Sequence, residues 1–292
     1  SDNVGVSTIA LSVRDASIAG PNNCYNQANN TFTAACPPAV AGWFPAFGAP
    51  AAWTYSFANQ PWTQGHVYVV ASSATDLALV VQTAGASVSF TYDIGVATVA
   101  VTTPSTGNLK ASQAFIIGTA TDAPAGISYV KIALSSSPTG ASGWWDGSAF
   151  AGPSEVYRTT STYTPGYPDG WSWALPALTN GKQYLMRTQS LDFAGNTRVE
   201  SHGTFLYDDV LPTASIGEPV HNAFKSGLFT MSGGSSDPDP GAPLLASGLS
   251  TVAVSIQHLG GTNQCYVWGG GFTTSCPNPI PAFGDPGSWT FT

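Results

Sequence analysis

The sequence predicts an all-β chain of β-sandwich domains in tandem, and three observations carry that prediction. The first is repetition. Gly5-Val6-Ser7-Thr8-Ile9-Ala10-Leu11 returns as Gly126-Ile127-Ser128-Tyr129-Val130-Lys131-Ile132 and again as Gly248-Leu249-Ser250-Thr251-Val252-Ala253-Val254, with start-to-start spacings of 121 and 122 residues. That period is the size of a whole domain, well above the roughly 20 to 50 residues of a solenoid unit. The second is alternation: Val130, Ile132 and Leu134 fall on one side of an extended segment, with Lys131 and Ala133 on the other. The third is composition. Only 8% of residues are charged, while Gly numbers 32 and Pro 22. That mix favours turns and pleated surfaces over helices, and aromatics at 12% argue against disorder.

The elements follow in chain order. Gly5–Leu11 opens the first unit as a strand. Trp53-Thr54-Tyr55 is matched later by Trp171-Ser172-Trp173 and by Trp289-Thr290-Phe291. Equivalence in three repeats marks these tryptophans as core residues. His66–Val70 follows the Gln64-Gly65 turn, as Tyr184–Thr188 follows Asn180-Gly181. Thr75–Ala78 corresponds to Leu191–Ala194, and Phe90–Asp93 to Phe205–Asp208. Phe115–Ala120 and Leu228–Met231 read as matching strands early in the second and third units. These landmarks place domains at residues 1–93, 94–209 and 210–292. The middle one is complete, the first lacks its opening strands and the third its closing ones. Ser1-Asp2 stands where the third unit has Ser236-Asp237. Three readings compete: a window on a longer polypeptide, a trimmed piece, or ends completed by strand addition from another subunit.

The four cysteines form two local pairs, Cys24/Cys36 and Cys265/Cys276, at the same place in the outer units. Zinc would need tighter spacing and histidine partners. Two equivalent disulfides fit better, and they point to an oxidising compartment. The middle unit instead carries Trp144-Trp145-Asp146-Gly147-Ser148-Ala149-Phe150, whose Asp-Gly is a hairpin-turn signal. A net charge of −8 with eight Lys and Arg excludes the basic footprint of a nucleic-acid binder. No apolar run is long enough to form a membrane-spanning helix. No charged-then-apolar leader opens the chain, which reads as processed or excised. Asn29-Asn30-Thr31 is a sequon, relevant only in a glycosylating cell.

The order Gly126–Val130, Trp145–Phe150, Trp171–Pro176, Leu178–Tyr184 and Ser190–Asn196 resembles the bacterial immunoglobulin-like (fibronectin-III-like) repeats of large secreted and cell-surface proteins. The likeness spans the middle unit and the present parts of its neighbours. It implies tandem immunoglobulin-like β-sandwiches outside a bacterial cell, serving as stalk, filament or adhesin, or as a polysaccharide-binding accessory of a secreted protein. The outer units depart from it, with cysteines in place of the Trp-Asp-Gly hairpin and no Gly-Asn after Asp76.

Candidate chemistry is sparse. Asp192 and Asn196 frame a loop that reads as a tight turn or as a calcium ligand set. Asp208-Asp209 lies in the join before the third unit and Asp93 in the join before the second, with Asp122 near it. Carboxylates at such joins either line a solvated linker or hold calcium and stiffen the string. The stretch from Ser235 to Gly241 invites the same thought, although Pro238 and Pro240 favour a rigid loop. Trp144 and Trp145, near a hairpin tip, form a candidate glycan-stacking platform against the alternative of core packing. The histidines (His66, His202, His221 and His258) do not recur between repeats, and no nucleophile elbow, phosphate loop or zinc motif is present. A structural protein and not an enzyme is therefore expected. Calcium is its one conceivable cofactor, and its partners are further copies of the repeat, with a glycan as the alternative.

Overall fold

The computed structural model describes residues 5–292, apart from 38–41, 58, 83–84, 105–106, 111–112, 161, 164–168, 228–229, 239–243, 261–262 and 286. Among the described residues every regular element is a strand, and no helix is long and apolar enough to cross a membrane. The strands form seven sheets, and each sheet draws on only one of the segments 1–93, 94–209 and 210–292. Ser1-Asp2 and the end of the Ser235–Gly241 stretch lie outside the described residues.

The middle segment sets the pattern. One sheet orders Asn108–Lys110, Thr197–Asp208, Lys182–Asp192, Ile127–Ser135, Trp144–Trp145 and Phe150–Gly152, with Arg158–Thr159 paired to Ile127–Ser135. Its first pair is parallel, Asn108 facing Leu206 and Lys110 facing Asp208; the remaining pairs are antiparallel. The second sheet orders Thr162–Tyr163, Asp169–Ala174, Phe115–Thr121 and Thr98–Thr103. Ile116, Trp171 and Trp173 from this sheet share one core with Val130, Ile132 and Tyr184 from the first. Two sheets closing on one core is a β-sandwich. The predicted alternation holds at Val130, Ile132 and Leu134, but Ala133 on the opposite side is also 1% exposed. It is covered by Trp144 and Leu185, a second small cluster on the outer face of the sheet.

In the first segment Val6–Asp15 and Val67–Asp76 make a long antiparallel pair flanked by Cys24–Asn26, Thr31–Ala34 and Ser87–Thr91. Leu11, Val13, Tyr25, Phe44 and Tyr68 are buried against this sheet. A separate ribbon pairs Phe47–Ala49 with Ala52–Thr54. The third segment has a sheet ordered Thr213–Glu218, Met231–Ser236, Ser288–Phe291 and Phe283–Asp285, with Val254, Trp289 and Phe291 as its core. Cys24 bonds Cys36 and Cys265 bonds Cys276, with Cα–Cα distances of 5.0 and 5.1 Å. At the equivalent middle hairpin Asp146 Oδ1 accepts from the Ser148 and Ala149 amides, each at 2.8 Å, and Gly147 takes φ +106°.

One repeated device escaped the sequence reading. Tyr68 and Tyr184 are both buried, and their hydroxyls accept from the amides of Thr63 and Thr179, five residues upstream, each at 2.8 Å. A buried tyrosine tied to backbone just before its strand is the corner found in immunoglobulin-like sandwiches. The signal was legible as Thr, an amide residue, Gly, and Tyr three residues later in both segments.

Candidate metal centre at the joins

The chain leaves the Ser87–Thr91 strand and passes Asp93 before the Thr98–Thr103 strand begins. Residues from both sides fix that carboxylate. From the preceding turn, Gln64 Nε2 donates to Asp93 Oδ1 and Gln64 Oε1 accepts from the Ile94 amide at 2.6 Å. From the following segment, the Gly95 amide donates to Oδ1 at 2.8 Å and the Ala125 amide to Oδ2 at 3.0 Å. Asn196 Nδ2 donates to the Asp93 carbonyl at 3.1 Å. Asn196 also caps Asp192, its amide meeting Oδ1 at 2.8 Å and its Nδ2 meeting Oδ2 at 2.9 Å. Asp122 Oδ2 accepts from the Gly126 amide at 3.0 Å. Gly126 has φ +79°, a conformation that glycine takes readily.

This arrangement brings one oxygen from each of Asp93, Asp122 and Asp192 within 4.8 Å of the others. Asp192 is 1% exposed. Burial opposes ionisation of Asp93, but the hydrogen bonds from Gln64, Gly95 and Ala125 outweigh it and hold its carboxyl below the ordinary range. Asp122 moves the other way: burial first, then the nearby Asp93 and Asp192 charges, push it up. Three carboxylates converging on one place form an all-oxygen donor set of the kind that suits a hard cation such as calcium. Asp93, Asp122 and Asp192 are the residues that would hold it.

The next join repeats the pattern. Asp208 Oδ1 accepts from the Val210 amide at 3.0 Å and Oδ2 from the Ser247 amide at 2.9 Å. Asn180 Oδ1 accepts from the Asp209 amide at 3.0 Å, and the Leu245 amide donates to the Gly181 carbonyl at 2.8 Å. Asp237 Oδ2 accepts from the Gly248 amide at 2.7 Å. Asp208 thus stands where Asp93 stood, Asn180 where Gln64 stood, and Asp237 where Asp122 stood. Burial opposes ionisation of Asp208 too, and its bonds to Ser247 and Val210 prevail to hold it low.

The four residues named as calcium candidates lie at two places, as their positions in the sequence imply. Asp192 and Asn196 belong to the first join and Asp208 to the second, while Asp209 contributes its backbone amide and an exposed side chain. The sequence reading placed Asp93 and Asp122 in the same join but missed the amide side chains of Gln64 and Asn180, whose matched positions before glycine were the available signal. The glycan platform fares differently. Trp144 is 1% exposed, packed between Ala133 and Leu185, so its ring has no free face for a sugar. Trp145 is half-buried against Phe150 at 5.1 Å. His66 pairs with the buried Asp15 at 2.7 Å, and His202 meets Thr188 Oγ1 at 2.7 Å, with burial lowering its pKa.

A scan against protein-family models finds no match, and a search of curated proteins finds none. Among solved structures, the chain is similar to a tetra-tandem repeat in the extending region of a large adhesion protein, at 17% identity and TM-score 0.31, over 100% of this chain and 59% of that one. It is also similar to a structure from a 1.5-MDa bacterial ice-binding adhesin, at 12% identity and TM-score 0.28, over 98% of this chain and 74% of that one. The chain thus spans about three-fifths of the first of these (59%).

Proposed function

We propose that this chain is a structural extracellular protein of a bacterial surface: immunoglobulin-like sandwiches strung as a stalk or filament, with joins held by calcium. The observation that carries this reading is the repeated join. At Asp93 and again at Asp208, one carboxylate is bonded across from the following unit, while the preceding turn supplies an amide side chain to the same linker. A device that fixes one unit on the next at every join sets the geometry of a string, and no single domain requires it. The twice-used tyrosine corner supports the immunoglobulin-like assignment. The disulfides suit an oxidising exterior, and eight Lys and Arg in 292 residues leave few sites for trypsin-like proteases. The role is mechanical and not catalytic.

Negative-stain electron microscopy of the native material tests this. Fibres with an axial period of about 40 Å, one sandwich length at ~3.3 Å per strand residue plus loops, are expected. Discrete short particles would end the filament reading.

A further inference from the structure

The two joins are built alike, but not of equally durable parts. Gln64 Oε1 accepts from the Ile94 amide at 2.6 Å, and Asn180 Oδ1 accepts from the Asp209 amide at 3.0 Å. In each case a glycine follows, and its own amide donates to a tyrosine carbonyl: Gly65 to Tyr92 at 2.9 Å and Gly181 to Tyr207 at 2.8 Å. Gly181 has φ +72°, a conformation that favours glycine. The two side-chain amides differ by one methylene, and that decides their chemistry. Asn180-Gly181 is the one Asn-Gly pair in the chain. In such a pair the glycine nitrogen can attack the asparagine Cγ and close a five-membered ring, with no side chain on the glycine to obstruct it. The same attack at Gln64 has to close a six-membered ring, which forms far more slowly.

Three hydrogen bonds stand against attack at Asn180. The Gly181 nitrogen is engaged with Tyr207, the Gly181 carbonyl accepts from the Leu245 amide at 2.8 Å, and the Asn180 side chain is held on the Asp209 amide. Gly181 is buried and Asn180 half-buried. The nitrogen cannot attack while it donates to Tyr207, and Cγ cannot swing onto it while Oδ1 stays on Asp209. Two of the three bonds are the second join itself, since Asp209 is in the linker and Leu245 in the following unit.

We infer that Asn180 is a spontaneous modification site whose reaction is gated by the second join. When the join opens, the Gly181 nitrogen attacks Asn180 Cγ. The N–Cγ bond forms, the Cγ–Nδ2 bond breaks, and Nδ2 leaves as ammonia with the proton from Gly181. Water then opens the cyclic imide at either carbonyl. One product is an ordinary aspartyl residue. The other, the main one, is an isoaspartyl linkage in which Cβ has joined the main chain. That linkage displaces Gly181 from both Tyr207 and Leu245, so the join does not reclose as before. A reversible opening is thereby recorded permanently, while Gln64 leaves the first join unmarked. The gate takes from the proposed function only that the second join fixes one unit on the next.

The test ages four samples side by side in mildly alkaline buffer: the whole chain, the whole chain with Asp208→Ala, the whole chain with Leu245→Pro, and a synthetic peptide of residues 159–182. Asp208→Ala removes the acceptor of the Val210 and Ser247 amides, and Leu245→Pro removes the donor to Gly181. Trypsin releases the 159–182 segment from the aged chains, because it follows Arg158 and ends at Lys182, and Asn180 is its only side-chain amide. A mass gain from amide to acid in that segment therefore reports Asn180 alone. The peptide should convert at least about tenfold faster than the intact chain, since attack in the chain waits on an opening equilibrium. Both variants should fall between the two. In the aged intact chain, the Leu245 amide should lose protection from hydrogen exchange in proportion to conversion. Equal rates in peptide and intact chain would overturn the gate. Variants that convert no faster than the intact chain would overturn the join as its origin. A peptide that does not convert would overturn the site. None of these outcomes bears on whether fibres form, which electron microscopy decides separately.

Discussion

Single atoms decide much of this fold. Gly118 and Gly233 occupy positions where a side chain would overlap both an indole and a carbonyl. Gly118→Val should therefore destabilise the middle unit by at least about 3 kcal/mol, the upper end of ordinary overpacking, in urea unfolding followed by circular dichroism. A cost below about 1 kcal/mol would mean that the sheet relaxes around the added atoms. The disulfides act through the unfolded chain. Each joins residues 12 or 11 apart, and Cys24→Ser with Cys36→Ser should cost the first unit about 3 kcal/mol in the loop-entropy account. The middle unit, which has no cysteine, should unfold unchanged in the same titration.

Elements and the joins between them carry the pH and metal dependence. Asp93 and Asp208 are held below their ordinary value of 3.8 by hydrogen bonds that outweigh burial. Their contribution is present at neutral pH and is lost as pH falls through that lowered range. Asp122 is raised above 3.8, so without a cation its contribution is present in acid and is lost as pH rises through its raised value. Calcium reverses the second effect, because it binds the ionised cluster. Thermal melts in chelator should thus show the first join weakening as pH rises from 3.8 through the raised Asp122 value. Calcium at a hundred times its dissociation constant should restore about 2.7 kcal/mol, and Asp122→Asn should abolish both responses. Melts insensitive to calcium in the parent chain would refute the metal centre. The alternation that located Val130, Ile132 and Leu134 is a property of neighbouring residues, so the core strands were legible. The join was legible only in part, since Asp93, Asp122 and Asp192 lie far apart in sequence and meet because a turn, a linker and a strand end converge. Trp144 misled for a related reason: a hairpin tip suggests exposure, and only the folded sheet shows Ala133 and Leu185 beneath the ring.

At the scale of the whole molecule, the period of the sequence and the segmentation of the sheets agree: spacings of 121 and 122 residues separate matching stretches in three segments whose sheets do not mix among the described residues. The repeat was readable because identical landmarks recur in order. The reading of all three equivalent tryptophans as core residues holds for Trp171 and Trp289, 1% and 3% exposed, but not for Trp53 at 38%. If the joins set the geometry, small-angle scattering of the chain should give a longer maximum dimension with calcium than with chelator. An unchanged or shorter dimension with calcium would deny the joins that role.

The parallel pairing of Asn108–Lys110 with Thr197–Asp208 bears on how such a string would break. These strands lie near the two ends of one unit and run the same way. Tension applied at the ends draws one toward its start and the other toward its finish, so the strands slide past each other along their length. Their hydrogen bonds, including the Leu206 amide to the Gly107 carbonyl at 2.7 Å, are then loaded in shear and must fail together, whereas a hairpin pulled open at its end would unzip one bond at a time.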